Sequence, residues 1–218
     1  MTQVKICGLT RPQDVELACA LGAAYVGLNF ASVSPRRVTV ETARELVASV
    51  PSGVARVGVF VGETPEQIRE AIEAASLDLV QVHRALREED LQLPRPVIAV
   101  VRVGDGAAAA PERLLPRCRA LLFDAAAGDL AGGSGKPFDW SALDGKGWPV
   151  PLILAGGLTA ENVGAGIARV RPAAVDVASG VESAPGVKDA GKLRRFFEAV
   201  KEADVRLSSP SPPGRGAG

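Results

Sequence analysis

The sequence predicts an α/β protein folded as a single-domain (β/α)8 TIM barrel with a disordered C-terminal tail. Three observations carry that expectation. Eight short apolar runs alternate with amphipathic segments along 218 residues, a length that suits one well-buried domain. Most runs are apolar on successive residues, as in Val57-Gly58-Val59-Phe60-Val61 and Leu152-Ile153-Leu154-Ala155, which is the pattern of strands buried on both faces of a parallel sheet. The segments between them carry helical spacing, so the repeating unit is strand, loop, helix. An open doubly wound sheet is the main competitor, because strand count alone does not prove closure.

In chain order, strands are expected at 4–9, 25–30, 55–61, 77–83, 96–103, 120–125, 151–156 and 173–178. Helices are expected at 12–22, 41–49, 65–75, 160–169 and 188–203. Thr10 with Pro12, Thr64 with Pro65, and Thr159 before Ala160 supply capping residues or a first-turn proline. Residues 104–117 break the rhythm, with Gly-Asp-Gly, four alanines and prolines predicting an irregular or short element. The barrel is placed at 1–204 and the tail at 205–218. From Ser208 onward the composition of Ser, Pro and Gly buries too little apolar surface to offset its ordering entropy.

Composition narrows the function. Twenty-five basic and 25 acidic residues give a formal charge of zero, which favours neither a nucleic-acid backbone nor an anionic membrane as partner. A small molecule is the expected ligand. Three cysteines at 7, 19 and 118, without Cys-x-x-Cys spacing, fit neither a disulfide framework nor a zinc site. They suit a reducing, cytoplasmic setting. No basic-then-apolar leader and no bilayer-length apolar run is evident. The chain is expected to act as a monomer or a homodimer.

In a parallel barrel the strand C-termini and the loops after them form the active face. Alternation puts Lys5 and Cys7 on one face of the first strand and the more apolar Val4 and Ile6 on the other, so Cys7 should point inward. The same reasoning turns Asp124 inward on strand six, with Leu121 and Phe123 toward the helices. A thiol and a carboxyl at two strand ends make a base-and-acid arrangement. Strand four ends in Gln81 and His83, and strand eight carries Asp176 between two valines. Bland alternatives stand beside each. Cys7 could be a small core residue, Asp124 and Asp176 hydrogen-bonded loop anchors, and His83 a mouth residue without chemistry. With a single histidine, the usual multi-histidine metal sites are excluded.

Glycines form a second constellation. Gly132-Gly133-Ser134-Gly135-Lys136 follows strand six, Gly156-Gly157 follows strand seven, and Ser179-Gly180 follows strand eight. Backbone amides at such turns cradle phosphate, and in barrels that cradle is usually built by the loops after strands seven and eight. The Gly-Lys sequence does not complete a nucleotide-binding loop, so Gly133 and its neighbours read better as part of a closing loop. Ser34-Pro35-Arg36 after strand two adds a guanidinium able to grip a carboxylate.

Together these motifs are specific. Lys5-Ile6-Cys7-Gly8-Leu9-Thr10, Ser34-Pro35-Arg36, Leu122-Phe123-Asp124, Gly133-Ser134-Gly135-Lys136, Ala155-Gly156-Gly157-Leu158 and Asp176-Val177-Ala178-Ser179-Gly180-Val181-Glu182, in that order, closely resemble the phosphoribosylanthranilate isomerases of tryptophan biosynthesis. The resemblance spans residues 3 to 200. It implies an Amadori rearrangement of N-(5-phosphoribosyl)anthranilate with no cofactor. Asp124 would be the acid and Cys7 the base, and Arg36 would hold the anthranilate carboxylate. Asp176 and His83 would contact the substrate, and Gly133, Gly156, Gly157, Ser179 and Gly180 would hold its phosphate. One departure is Arg84, where the family usually has glycine, and it should alter the loop after strand four.

Two other enzyme readings and one binding reading compete. A metal-dependent pentose-phosphate epimerase wants histidine and carboxylate ligands that this chain lacks, and an indole-glycerol-phosphate synthase wants catalytic lysines at strand ends. A phosphate-binding regulatory barrel would have no use for Cys7 or Asp124, and both are present.

Overall fold

The computed structural model describes residues 1–103, 112–125, 139–143 and 147–209. All eight expected strands form: β1 Gln3–Cys7, β2 Tyr25–Asn29, β3 Ala55–Phe60, β4 Leu79–Val82, β5 Val97–Val103, β6 Ala120–Ala125, β7 Leu152–Leu154 and β8 Ala174–Val177. They run parallel and in sequence order, and β8 pairs back onto β1, matching Lys5 with Asp176. The sheet is therefore a closed barrel, which settles the competition with an open sheet.

Alternation sorts side chains into two layers. Val57, Leu79, Ile98, Val100, Ala120, Leu122 and Ile153 fill the barrel interior. Val4, Ile6, Leu121, Phe123, Val175 and Val177 face outward against the helices. Leu121 and Phe123 are essentially fully buried, each worth roughly 1.5–3 kcal/mol of transfer free energy. The outward assignment of these two residues agrees with the sequence reading, and it fixes Asp124, one step further, on the inner face.

Five helices lie among the described residues: α1 Pro12–Ala20, α2 Val40–Val47, α3 Pro65–Ala74, α4 Val163–Val170 and α5 Ala190–Ser208. Thr64 caps α3 as expected, its hydroxyl oxygen accepting from Gln67 N while the Gln67 side-chain oxygen accepts from Thr64 N. The other two expected caps are displaced. Arg11 holds the N-cap position of α1, because the Thr10 hydroxyl donates instead to the Gly186 carbonyl in the segment after the neighbouring β8, 2.6 Å away. Helix α4 begins three residues later than predicted, at Val163 with Asn162 as N-cap. Asn162 ties the intervening turn by accepting from Thr159 N and donating to Gly157 O.

Among the described residues, short 3-10 turns follow β4, β5 and β6, at Glu88–Gln92, Glu112–Arg117 and Trp140–Leu143. The second meets the expectation of a short element near 104–117, of which 104–111 lie outside the described residues. An unforeseen hairpin, β9 Glu182–Ala184 with β10 Val187–Lys188, follows β8. Helix α5 continues to Ser208, so the boundary expected at 204 falls inside it, and residues 205–208 are helical rather than tail. Residues 210–218 of the expected tail lie outside the described residues. Among the described residues no helix is long and apolar enough to cross a membrane.

Candidate active site

Because the strands are parallel, their C-terminal ends share one mouth, and the sequence-selected side chains gather there. Cys7 closes β1, His83 directly follows β4, Asp124 lies one residue from the end of β6, and Asp176 lies one residue from the end of β8. Cys7 and Asp176 are buried, while Asp124 and His83 keep partial exposure at the opening.

Lys5 organises the floor of this mouth. It shares the inner face with Cys7 and is completely buried, and its Nζ lies 2.9 Å from Asp176 Oδ1. Burial works against the ammonium, yet Asp176 and the neighbouring thiol outweigh it and hold Lys5 above the ordinary lysine range. Space for this comes from Gly27 on β2. A side chain there would start 3.1 Å from both Cys7 Sγ and Lys5 Nζ. Burial pushes the Cys7 thiol up from its usual value, against the opposing pull of Lys5 and Lys188. Burial, with Lys5 and Arg102 nearby, drives His83 down to about 3, so its imidazole is neutral across the physiological range. His83 Nε2 lies 2.6 Å from the Gln81 amide nitrogen. With that nitrogen donating, the ring accepts at Nε2 and carries its proton on Nδ1. The Gln81 carbonyl oxygen is buried with no partner among the described residues.

Arg36 reaches the mouth from the loop after β2 by packing its stem over Gly8, where a Cβ would fall 2.4 Å from Arg36 Cδ and where φ is +70°. Its guanidinium is already forked. Nε and Nη2 sit 2.9 and 2.7 Å from the two oxygens of Glu182. The sequence reading left that fork to a ligand; the structure assigns one edge to Glu182 and leaves the Nη1 edge without a partner among the described residues. Glu182 is held in turn by Lys188, whose Nζ is 2.7 Å from Oε1, 2.6 Å from the Cys7 carbonyl and 3.2 Å from the Ala178 carbonyl. Burial alone would raise the Glu182 carboxyl, but Arg36 and Lys188 hold it below the usual carboxylate range. Sequence reasoning assigned no role to Lys5, Glu182 or Lys188. A lysine in an otherwise apolar strand was the one signal that could have marked Lys5.

The glycine turns after β7 and β8 meet each other. Gly156 and Gly157 adopt φ of +83° and +63°, a conformation that L side chains rarely take. Gly180 opens the turn after β8 so close to the preceding loop that a Cβ would lie 1.9 Å from the Leu158 carbonyl oxygen. Gly133 lies outside the described residues. The departure at Arg84 also has its explanation. Its guanidinium forks onto Asp90 at 2.6 Å from each oxygen, and Asp90, fully buried, also accepts from Arg87 N. The loop after β4 is thus pinned to its own 3-10 turn.

Polar groups set into the inner face at one end of a closed parallel sheet are costly unless used, and their grouping marks an α/β-barrel enzyme acting on a small molecule at its mouth. The family model described as N-(5'phosphoribosyl)anthranilate (PRA) isomerase matches residues 4–199. The chain belongs to that family. The N-(5'-phosphoribosyl)anthranilate isomerase of Pseudomonas fluorescens is 44% identical over 206 residues, spanning 93% of this chain and 97% of the relative. That of Dechloromonas aromatica is 43% identical over 211 residues, 94% and 99% of the two chains. The phosphoribosyl anthranilate isomerase of Thermotoga maritima superposes with a TM-score of 0.83 at 39% identity, covering 93% of this chain and all of that one. A phosphoribosyl anthranilate isomerase in complex with reduced 1-(o-carboxyphenylamino)-1-deoxyribulose 5-phosphate gives 0.77 at 36% identity, covering 93% and 100%.

Proposed function

We propose that this barrel converts N-(5'-phosphoribosyl)anthranilate to 1-(o-carboxyphenylamino)-1-deoxyribulose 5-phosphate, a step of tryptophan biosynthesis, with Asp124 as general acid and Cys7 as general base. The observation that carries the assignment of roles is the shared mouth. The ends of β1 and β6 present a thiol and a carboxyl on the inner face, in a chain that matches the isomerase family along its length.

Asp124 gives its proton to the furanose ring oxygen as the C1–O bond breaks, and the nitrogen lone pair completes a C1–N iminium. The iminium acidifies the C2 hydrogen, which the Cys7 thiolate removes, leaving an enolamine. Protonation at C1 and loss of the C2 hydroxyl proton yield the ketone, so carbon 1 is reduced as carbon 2 is oxidised and no external electron carrier enters. His83, neutral at working pH, is unsuited to donate a full proton and serves as a hydrogen-bonding contact. Asp176 contacts the substrate beside Lys5. The unengaged edge of Arg36 takes the anthranilate carboxylate end-on. The turns carrying Gly156, Gly157, Ser179 and Gly180, with Gly133 from the loop after β6, hold the phosphate.

A base that must remain a free thiol accords with a reducing cytoplasmic setting, and all three cysteines are unpaired. The test is loss of phosphoribosylanthranilate fluorescence in a coupled assay. Cys7→Ala and Asp124→Asn should each abolish detectable turnover while a reduced product analogue still binds, and near-normal turnover by either variant would overturn its assigned role.

A further inference from the structure

The proposed mechanism uses Cys7 as a thiolate, yet Cys7 sits in a buried place that favours the neutral thiol. A positive charge is needed close to the sulfur, and the structure holds one that the chemistry leaves unassigned. Lys5 is two residues away on the same strand and the same face, has no exposure to solvent, and ends beside the sulfur in the space that Gly27 leaves empty. Moving an ammonium out of water is costly even after relaxation, and an apolar side chain at this position would fill the barrel floor without that cost.

We propose that Lys5 is a positioning residue for the reaction, whose buried ammonium, anchored by Asp176, stabilises the thiolate form of Cys7. This rests on the reading of Cys7 as the base. Asp176 is the counterweight. Its carboxylate keeps Lys5 charged and fixed at 2.9 Å, but it also repels a thiolate, so the two partners push Cys7 ionisation in opposite directions. Other charges around the sulfur are Lys188 from β10 and Arg36 from the loop after β2. Neutral His83 after β4 lies near Lys5 and near Arg102 on β5, and Asp124 faces inward from β6. Glu182 takes up much of the charge of Arg36 and Lys188. Lys5, by contrast, is held by the same carboxylate that is proposed to contact the substrate. A ligand hydroxyl drawn to Asp176 therefore loosens the hold on Lys5 and turns its charge toward the sulfur when the base is needed.

The experiment reads the thiol directly and needs no turnover. Each protein is alkylated with iodoacetamide across a pH series, and modification at Cys7 is followed by mass spectrometry, with partly exposed Cys19 as internal reference. Lys5→Met should raise the pH midpoint of Cys7 alkylation by a unit or more, a fall of about tenfold in rate at neutral pH. Lys5→Arg should restore most of it. If Lys5→Met does not fold because Asp176 is left unpaired, Lys5→Gln, whose amide still donates to Asp176 but carries no charge, is compared with the wild type. A Cys7 midpoint that is unchanged or lower in the folded neutral variant overturns the proposal. Loss of turnover in Cys7→Ala tests the base assignment separately, so failure of one reading is distinguishable from failure of the other.

Discussion

Arg36 and Glu182, 146 residues apart in sequence, meet in a two-pronged ion pair at the mouth, with both side chains largely withdrawn from water. The pairing fixes which edge of the guanidinium a ligand can use. Glu182→Gln keeps the size of the side chain but removes the charge that holds Arg36 and Lys188. Steady-state kinetics should show a KM increase of about tenfold with a smaller change in kcat, as expected when ground-state and transition-state binding are lost together.

Arg84→Gly restores the residue common at this place in the family, and here it should harm the fold. It strands the buried Asp90 carboxylate without its fork, a loss of about 3–5 kcal/mol for breaking a buried pair. Urea unfolding measures the loss. Turnover should change little, because the Arg84 guanidinium points to its own loop and not to the inner face.

His83 makes the barrel sensitive to acid. The folded imidazole binds a proton only near pH 3, whereas in the unfolded chain it does so near about 6.5. As pH falls through that interval the unfolded state gains a proton that the folded state refuses, so folding stability drops. His83→Gln removes this term. Its unfolding free energy relative to the wild type should rise between neutral pH and about pH 5, as read from urea curves at the two values. A parallel decline in both proteins would count against it.

Cys7 sets the opposite limb of the rate profile. Its thiol is pushed above the usual value, so only a minor fraction is ionised at neutral pH. If the thiolate is the base, kcat/KM rises with pH, by up to about tenfold per unit, until the thiol is titrated. A profile flat from neutral to alkaline pH would remove Cys7 from that role.

The strands were legible because a doubly buried strand must be apolar on successive residues, and those runs are hard to mistake. At the first helix the reading slipped because of a contact between distant segments. Thr10 has the right type for a helix cap, but its hydroxyl is claimed by Gly186, which no local pattern records. The β9–β10 hairpin went unseen because strands of three and two residues are too short to show a period. Asp124 and Asp176 stood out as interruptions of apolar runs, and Cys7 through the alternation that turns it inward at the end of the first strand. The partners of Lys5, Glu182 and Lys188 did not, since each depends on the ring being closed and in register.

That dependence has a consequence for how the protein comes to life. Lys5 and Asp176 are separated by 171 residues, and Lys188 and the Cys7 carbonyl by 181. Contacts of such separation form late, after the entropy of closing long loops has been met. During synthesis the first strand emerges with an ordinary thiol, and it acquires its special surroundings only when the eighth strand docks. Seam closure and the burial of the cysteine are one event, so the falling reactivity of that thiol toward a reagent in solution is a built-in clock for the last step of folding.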